Sequence, residues 1–383
     1  MDFKFDMPTA AFFGRGAVEA HTDKLALGKR AFILTGANSG RASGALADVT
    51  AALDKLNTGY DIFEGVGNNP NIAQCRELGA SAREKGADFI IGIGGGSPLD
   101  AAKAVAVFAS NDISDDELFK NKYQNVLPIA AIPTTSGTGS EVTPWSIMTV
   151  DDKRTKISFG SHATFPSVAL LDPKYTESLS KDITFDTGMD AFEHCFESLV
   201  SMRSTPVTDA LNISALSIFK RCMNRLEKGD HGPIRERLMT VSMMGGMTIS
   251  QTGTTLMHAM GYPLTYFKGI PHGRANCVVM PAYLNELERH CPAQLKIALT
   301  VLDMTKDELI AYVRRNVKDT VQITESELRL WAEQTSLKNP AATTGTPGDP
   351  AHLMELFREV VSVTPDEPNR PAAPDGEKAK ILT

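Results

Sequence analysis

At 383 residues the chain is long enough for two domains with separate cores. Hydrophobic residues make up 42% and charged residues 22%, an ordinary globular composition, and the net charge of -7 argues against a polyanion-binding surface. No Lys/Arg cluster marks a nucleic-acid site, and no apolar run approaches the ~18 residues of a membrane span. The start, MDFKFDMPTAAFFG, has neither the basic nor the apolar region of a signal peptide. Five scattered cysteines without CxxC spacing (Cys75, Cys195, Cys222, Cys277, Cys291) read as buried reduced thiols of a cytoplasmic protein.

The first half alternates apolar runs with helical stretches. RAFILTG at 30–36 reads as a buried strand, followed by a helix from about Gly44 to Leu56. YDIFEGV at 60–66 is the next strand, with a helix from about Ile72 to Lys85 behind it. FIIGIGG at 89–95 and PIAAIP at 128–133 are two more, separated by the helical AKAVAVFA. Strand, helix, strand in regular succession predicts a parallel sheet covered on both faces. Nucleotides bind such sheets beyond the C-terminal strand ends, where glycine-rich loops meet helix N-termini.

Two loops fit that place. In GGGSPLDAAK, 94–103, the glycines admit a phosphate to the backbone, Ser97 is placed to cap the helix and Pro98 suits its first turn. The loop spells neither GxGxxG nor a Walker pattern, and a tight strand-to-helix turn needs glycine in any case. In PTTSGTGSE, 133–141, hydroxyls and glycines offer donors to a diphosphate or a nicotinamide carboxamide. The plainer alternative there is a polar surface loop.

From about Asp182 the pattern turns helical, over 188–202, 206–227, 234–250 and 273–289, with a break near Gly253. The expected organisation is an α/β domain over 1–178, an all-helical domain over 179–362, and a poorly ordered Pro-rich tail over 363–383. The small-residue stretch GMTISQTGTTLMHAMG suggests close helix packing.

In this helical half Asp190 and His194 stand four residues apart in GMDAFEHCFES, so both project from one helix face. His258 and His272 flank a stretch containing Gly261, Pro263, Gly269 and Pro271, which reads as a break. A lone histidine in an apolar segment is commonly a hydrogen-bonded core residue. Here three of the 8 histidines gather with one aspartate. One carboxylate and three imidazoles fill most of the shell of a divalent metal, without choosing among Fe(II), Zn(II) and their neighbours. Cys195 and Cys277 lie close in sequence and are the thiolate alternatives.

Together, GGGSPLDAAK, IPTTSGTGSEVT, LLDP at 170–173, GMDAFEHCFES and HAMGYPLTYFKGIPHGRANCVVMP resemble the iron-containing (group III) alcohol dehydrogenase family over nearly the whole chain. The resemblance implies a Rossmann-like α/β nicotinamide-dinucleotide domain, a C-terminal all-helical metal domain and a homodimer. It carries the metal ligands onto Asp190, His194, His258 and His272. For the cofactor it points to Gly95, Gly96, Ser97 and Asp100, then to Thr134, Thr135 and Thr138, with Lys156 in addition.

Members selective for NAD often carry an aspartate just after the strand that ends near residue 36. This chain has Gly36, followed by Asn38, Ser39 and Arg41. Losing a carboxylate relieves repulsion of a 2′-phosphate, which hydroxyls or a cation can hold, so NADP(H) is expected over NAD(H). Many members have a second histidine four residues after the ligand corresponding to His258; here it is Tyr262, so that histidine's proton-handling role does not carry over.

The reading is a metal-dependent NAD(P)-linked alcohol dehydrogenase or aldehyde reductase, with iron favoured over zinc and a small primary alcohol or aldehyde as substrate. In it a Lewis-acid metal assists hydride transfer at nicotinamide C4, with Tyr262 lining the active site. The rivals are a glycerol-type polyol dehydrogenase of the same superfamily, a lyase resembling dehydroquinate synthase, and a non-catalytic NADP(H)-binding protein. The lyase needs several basic residues for a phosphorylated substrate, and Arg274 and Lys268 are those the sequence places nearby.

Overall fold

The structure is a computed structural model that describes residues 2–68, 70–150 and 154–366. Its first half is built on a six-stranded, wholly parallel sheet. The chain runs through β1 (Ala10–Phe13), β2 (Arg30–Gly36), α1 (Ala45–Lys55), β3 (Gly59–Val66), α2 (Ile72–Glu84) and β4 (Phe89–Gly94). It continues through α3 (Gly96–Ser110), β5 (Ile129–Pro133), the antiparallel pair β6 (Ser146–Val150) and β7 (Thr155–Phe159), and β8 (Val168–Leu171). The spatial order is β1-β8-β5-β4-β2-β3.

Every residue of β4 and β5 is buried, the continuous apolar run that a sheet covered on both faces demands. Side-chain alternation splits β2 between two cores: Phe32 and Leu34 pack with α2 and α3, Ala31 and Ile33 with α1. The order reverses between β2, which leads outward to β3, and β4, which leads the other way to β5. A dinucleotide settles in the crevice outside the strand ends at such a switch point. Gly36 and Gly95 stand at its two sides.

The expected four strands are present, and the six-stranded sheet holds two more that were not foreseen; nor was the β6–β7 pair. β1 and β8 have only four residues each and pair with one another at the sheet edge, so neither offers a long alternation to read.

The second half opens with α4 (Lys181–Val200), begun by the Ser180 hydroxyl accepting from Ile183 N at 3.2 Å. It continues with α5 (Pro206–Lys220), α6 (Arg235–Thr252), α7 (Leu256–Lys268) and α8 (His272–His290). α4 lies at the centre, packed on α5, α6 and α8, with Phe192 and Phe196 meeting Phe219 and Tyr283. The half is mostly rather than wholly helical, because Gln322–Thr324 and Ser362–Thr364 form a small parallel ladder. Of the expected tail, Val363 and Thr364 belong to that ladder, and 367–383 lie outside the described residues.

The expected break at Gly261 and Pro263 does not occur, and α7 runs through both. A Cβ on Gly261 would come within 1.9 Å of Asn276 Oδ1, so this glycine is there to let α8 approach. Pro263 leaves the Ala259 carbonyl without its helical donor, and Thr335 Oγ1 donates to it at 3.4 Å instead. The chain turns only at Gly269, which takes φ 67, and Pro271, before α8 starts at His272.

Candidate metal centre and cofactor cleft

Three helices bring the candidate ligands together. Asp190 and His194 share one face of α4, His258 comes from the first turn of α7, and His272 is the first residue of α8. The start of α8 sits directly on α4: a Cβ on Gly273 would fall 2.1 Å from the Asp186 carbonyl and 3.0 Å from Asp190 Cβ. Only glycine at 273 allows that contact.

Ligand atoms of Asp190, His194 and His258 lie within 4.8 Å of one another, and all three residues are buried. His258 Nε2 is 3.6 Å, and His194 Nε2 4.0 Å, from Asp190 Oδ1. The His194 and His258 rings stack at 4.6 Å, and the His272 ring stands edge-on to His258 at 5.1 Å. His272 is outside the tight trio but lines the same cavity.

Each imidazole has its Nδ1 engaged on the far side. His194 Nδ1 meets the Gly137 carbonyl at 3.3 Å, His258 Nδ1 meets the Glu197 carboxylate, and His272 Nδ1 meets Thr265 Oγ1 at 3.3 Å. A proton on each Nδ1 leaves each Nε2 lone pair for the cavity. Asp190 Oδ1 and His258 Nε2 are buried and have no hydrogen-bond partner. An unpartnered buried polar group costs about 1–3 kcal/mol, so two of them facing one another fit a cation between them.

The charges agree. Burial would raise the Asp190 pKa, but the three imidazoles outweigh it and hold the carboxyl well below its usual range. Burial would depress His258, but Glu197 and Asp190 carry it up to about 10 when no metal competes. Burial pushes His272 and His194 down.

Glu197 is the residue that sequence reasoning missed. It is fully buried, takes the Thr255 hydroxyl at 2.6 Å and His258 N at 3.2 Å, and orients the His258 ring. It lies seven residues after Asp190 on the same helical stripe, a signal the motif GMDAFEHCFES carried. The thiolate alternatives fall away: Cys277 Sγ donates to Glu193 at 3.2 Å, Cys195 Sγ to the Val241 carbonyl at 3.6 Å, and burial raises both pKa values.

A cavity of about 370 Å³ joins this cluster to the sheet. Asp190, His194, His258, His272 and Tyr262 line it from the helical side, and Gly96, Ser97, Asp100, Thr138 and Lys156 from the sheet side. Ile249, Gly253 and Thr254, from the small-residue stretch expected to serve packing, form part of its wall.

Of the other expected cofactor residues, Gly95, Thr134 and Thr135 stand just outside the lining, with Thr135 against Gly95 and Thr138 against Gly96, so the two loops lie side by side. The cap of α3 is Gly95 without a side-chain bond, not Ser97, which sits on the cavity wall. Asp100 fastens the second loop, accepting from Ser140 Oγ at 2.6 Å and Ile147 N at 3.0 Å. Fully buried Lys103 fastens it too, reaching Ser140 Oγ at 2.7 Å and the Trp145 carbonyl at 2.6 Å.

Gly36, Asn38 and Ser39 lie apart, at the end of β2. There Arg41 makes a two-point ion pair with Glu64 of β3, with Arg41 Nε 2.6 Å from Oε2. Tyr262 stacks on His272, with centroids 5.3 Å apart and planes 11° from parallel. Arg274 and Lys268 pair with Asp186 and Glu327, each at 2.9 Å, and neither lines the cavity, so the two basic residues that the sequence offered to the lyase reading do not reach it.

The family model described as iron-containing alcohol dehydrogenase matches residues 8–173, and that described as Fe-containing alcohol dehydrogenase family, C-terminal, matches 184–332. The chain belongs to the iron-containing alcohol dehydrogenase family. It is 34% identical over 277 residues to lactaldehyde reductase of Escherichia coli strain K12, covering 71% of this chain and 72% of that one. It is 29% identical to an NADPH-dependent butanol dehydrogenase of Clostridium saccharobutylicum, covering 82% and 83%. A solved iron-containing alcohol dehydrogenase from Thermotoga maritima superposes with TM-score 0.87 at 36% identity, covering 94% of this chain and 99% of that one. The protein is accordingly a metal-dependent alcohol/aldehyde oxidoreductase of this family, with its parallel-sheet half and mostly helical half. Among the described residues no helix is long and apolar enough to cross a membrane.

Proposed function

We propose that this dehydrogenase is Fe(II)-dependent, prefers NADP(H), and interconverts small primary alcohols and aldehydes as a cytoplasmic homodimer. In this reading residues 1–178 bind the dinucleotide and 179–362 hold the metal. Asp190 Oδ1 and the Nε2 atoms of His194, His258 and His272 are the ligands, supported by the orphaned Asp190–His258 pair and the engaged Nδ1 atoms behind it. When bound, the metal supplies Lewis-acid polarisation of the substrate oxygen and the nicotinamide supplies or accepts hydride.

The protein's own residues do the rest. Gly95, Gly96 and Ser97 offer the α3 N-terminus to the diphosphate, and Thr134, Thr135 and Thr138 supply the second loop. Asp100 and Lys103 hold that loop against α3. Gly36, Asn38 and Ser39 receive the 2′-phosphate without a repelling carboxylate at 36. The cleft keeps nicotinamide and substrate together, which is where orientation contributes to rate. The C. saccharobutylicum relative is an NADPH-dependent enzyme, in agreement with this preference. Iron rather than zinc, the dimer and the compartment rest on family likeness and, for the last, on five buried thiols.

Anaerobic purification, elemental analysis and a screen of NADPH and NADH oxidation across aldehydes test the proposal. Iron-dependent turnover, faster with NADPH, is expected. Zinc binds more tightly than ferrous iron in general, so reconstitution with each metal is part of the screen. Best activity with zinc on polyols would favour the glycerol-type rival.

A further inference from the structure

The far end of α8 carries another group of metal-ligating side chains, about 20 Å along the helix from His272 at its start. Glu286 is fully buried, and two imidazoles converge on its Oε1. His290 Nε2, one turn on in the same helix, stands 3.3 Å from that oxygen. His352 Nε2, from the helix Pro350–Arg358, stands 2.6 Å from it. The other oxygen, Oε2, accepts from Arg289 Nη1 at 3.3 Å.

Two imidazoles and a carboxylate are the donor set of a zinc ion with one open position. Glu286 and His290 are spaced i, i+4, so one helix face presents both. The third donor belongs to a different helix. The carboxylate lies in the interior, while the imidazole side chains are 36% and 20% exposed and have solvent beside them. Zinc at about 2.0–2.2 Å from each donor sets neighbouring donors about 3.3 Å apart. His290 already has that separation from Oε1. His352 has to withdraw by about 0.7 Å, and the rings, with centroids 6.4 Å apart, have to close by about an ångström. Small turns of both side chains at a solvent-facing surface supply these movements.

Charge favours the same ion. A buried carboxylate is costly unless it is paired. Its one guanidinium partner, Arg289, is 54% exposed and shared with Glu359 at 3.6 Å. Zn(II) brings two charges to the oxygen on which the imidazoles meet. Cys291, next in the chain, is not a fourth donor. Its Sγ donates to the Thr344 carbonyl at 3.0 Å, and burial, with the nearby charge of Glu286, raises the thiol's pKa.

We infer that Glu286, His290 and His352 form a second metal site, which binds one Zn(II) and clamps the Pro350–Arg358 helix to α8. None of the three lines the cleft cavity, so the ion is a clamp and takes no part in hydride transfer. Zinc in the purified protein is then not by itself a measure of the metal at Asp190.

The test titrates the iron-loaded, full-length enzyme with Zn(II) under anaerobic conditions, with both metals counted by elemental analysis after gel filtration. One zinc is expected beyond any that replaces released iron. His352→Gln and His290→Gln should each weaken that uptake by at least about a hundredfold, more than loss of an outer partner costs. Glutamine can still donate to Glu286, so the helices stay tied without the ion, and iron content and aldehyde reduction should remain parental. Zinc should also raise the unfolding temperature of the parent, and this rise should be absent in both variants. No zinc beyond the iron released, an extra zinc that either variant binds with parental affinity, or a parent whose unfolding temperature ignores it would overturn the inference.

Discussion

The two ends of the cleft are built to opposite standards. At the metal end Asp190, His194 and His258 are buried and His272 half-buried, each imidazole is held by a partner behind it, and one of those partners is a fully buried carboxylate. At the far end, Gly36 terminates a strand, Asn38 is exposed, and the nearest cation is tied to Glu64 on the surface. An exposed ion pair is worth about 0–1 kcal/mol, so Arg41 can exchange Glu64 for a phosphate at little cost. Replacing a group in the buried network leaves charges stranded where water cannot reach them. Chemistry is therefore fixed at one end, while dinucleotide choice is adjustable at the other.

The contrast breaks most sharply at His272. It stands outside the tight Asp190–His194–His258 group yet lines the cavity on a helix that Gly273 seats against α4. His272→Ala is expected to lose most of the bound metal and at least about a thousandfold in kcat/KM, since a Lewis acid contributes several kcal/mol. Elemental analysis after anaerobic reconstitution decides it: full metal content would reduce the ligand set to three.

One layer out, Glu197→Gln keeps the shape and removes the charge behind His258. Loss of such a partner weakens metal binding by about 10–100-fold, with the helical fold intact by circular dichroism. The same pair sets a pH dependence. In the metal-free protein His258 titrates near 10, so below that pH the ring carries a proton that the metal must displace. Metal affinity of the parent should therefore rise with pH by up to about tenfold per unit across neutrality. The Gln variant, lacking the charge that raises the ring's pKa, should show a flatter rise. Equal slopes would mean that Glu197 does not control this proton.

Legibility in the sequence follows the same division. Asp190 and His194 declared themselves because a helix repeats every turn and both sit on one stripe; Glu197 was on that stripe too, but nothing local says that a carboxylate faces a histidine 61 residues away. Gly261 and Pro263 misled because propensity describes an isolated helix. Here Asn276 and Thr335, from other helices, decide what those residues do. The sheet was visible where strands were long and buried, and invisible in β1 and β8. His352 was beyond reach as a partner of Glu286, since the two are 66 residues apart and no periodicity links them.

At the adjustable end, Gly36→Asp would, in the proposed binding mode, place a carboxylate beside the ribose. Gly36 does not have a positive φ, and the one close contact of a Cβ there would be the Ser39 hydroxyl at 2.9 Å, which can rotate away, with the Val66 carbonyl at an ordinary 3.6 Å. The ratio of kcat/KM for NADPH over NADH is expected to fall by the equivalent of about 1–3 kcal/mol. Metal content should stay at the parental level, because the change lies outside the cavity. A parent enzyme that works better with NADH would remove the basis for this expectation without any variant.

The smallest effect belongs to Tyr262, which lies at the metal end but outside its network of held groups. Its ring stacks on His272 and lines the cavity, so it shapes the space through which substrate passes. As a general base it would have to lose its proton. Burial raises the phenol's pKa above its ordinary value, and the charges of Glu197, Asp190 and Asp100 raise it further. A bound cation would offset part of that, but would act more directly on a substrate oxygen in contact with it. Phenylalanine preserves the stacking surface and deletes one hydroxyl, so Tyr262→Phe is expected to lower kcat by no more than about tenfold, the range of one ordinary hydrogen bond. The pH–rate profile should keep its shape. A loss of several orders of magnitude, with metal and cofactor still bound, would make Tyr262 the proton relay and place a catalytic group in the one part of this end that the buried network does not fix.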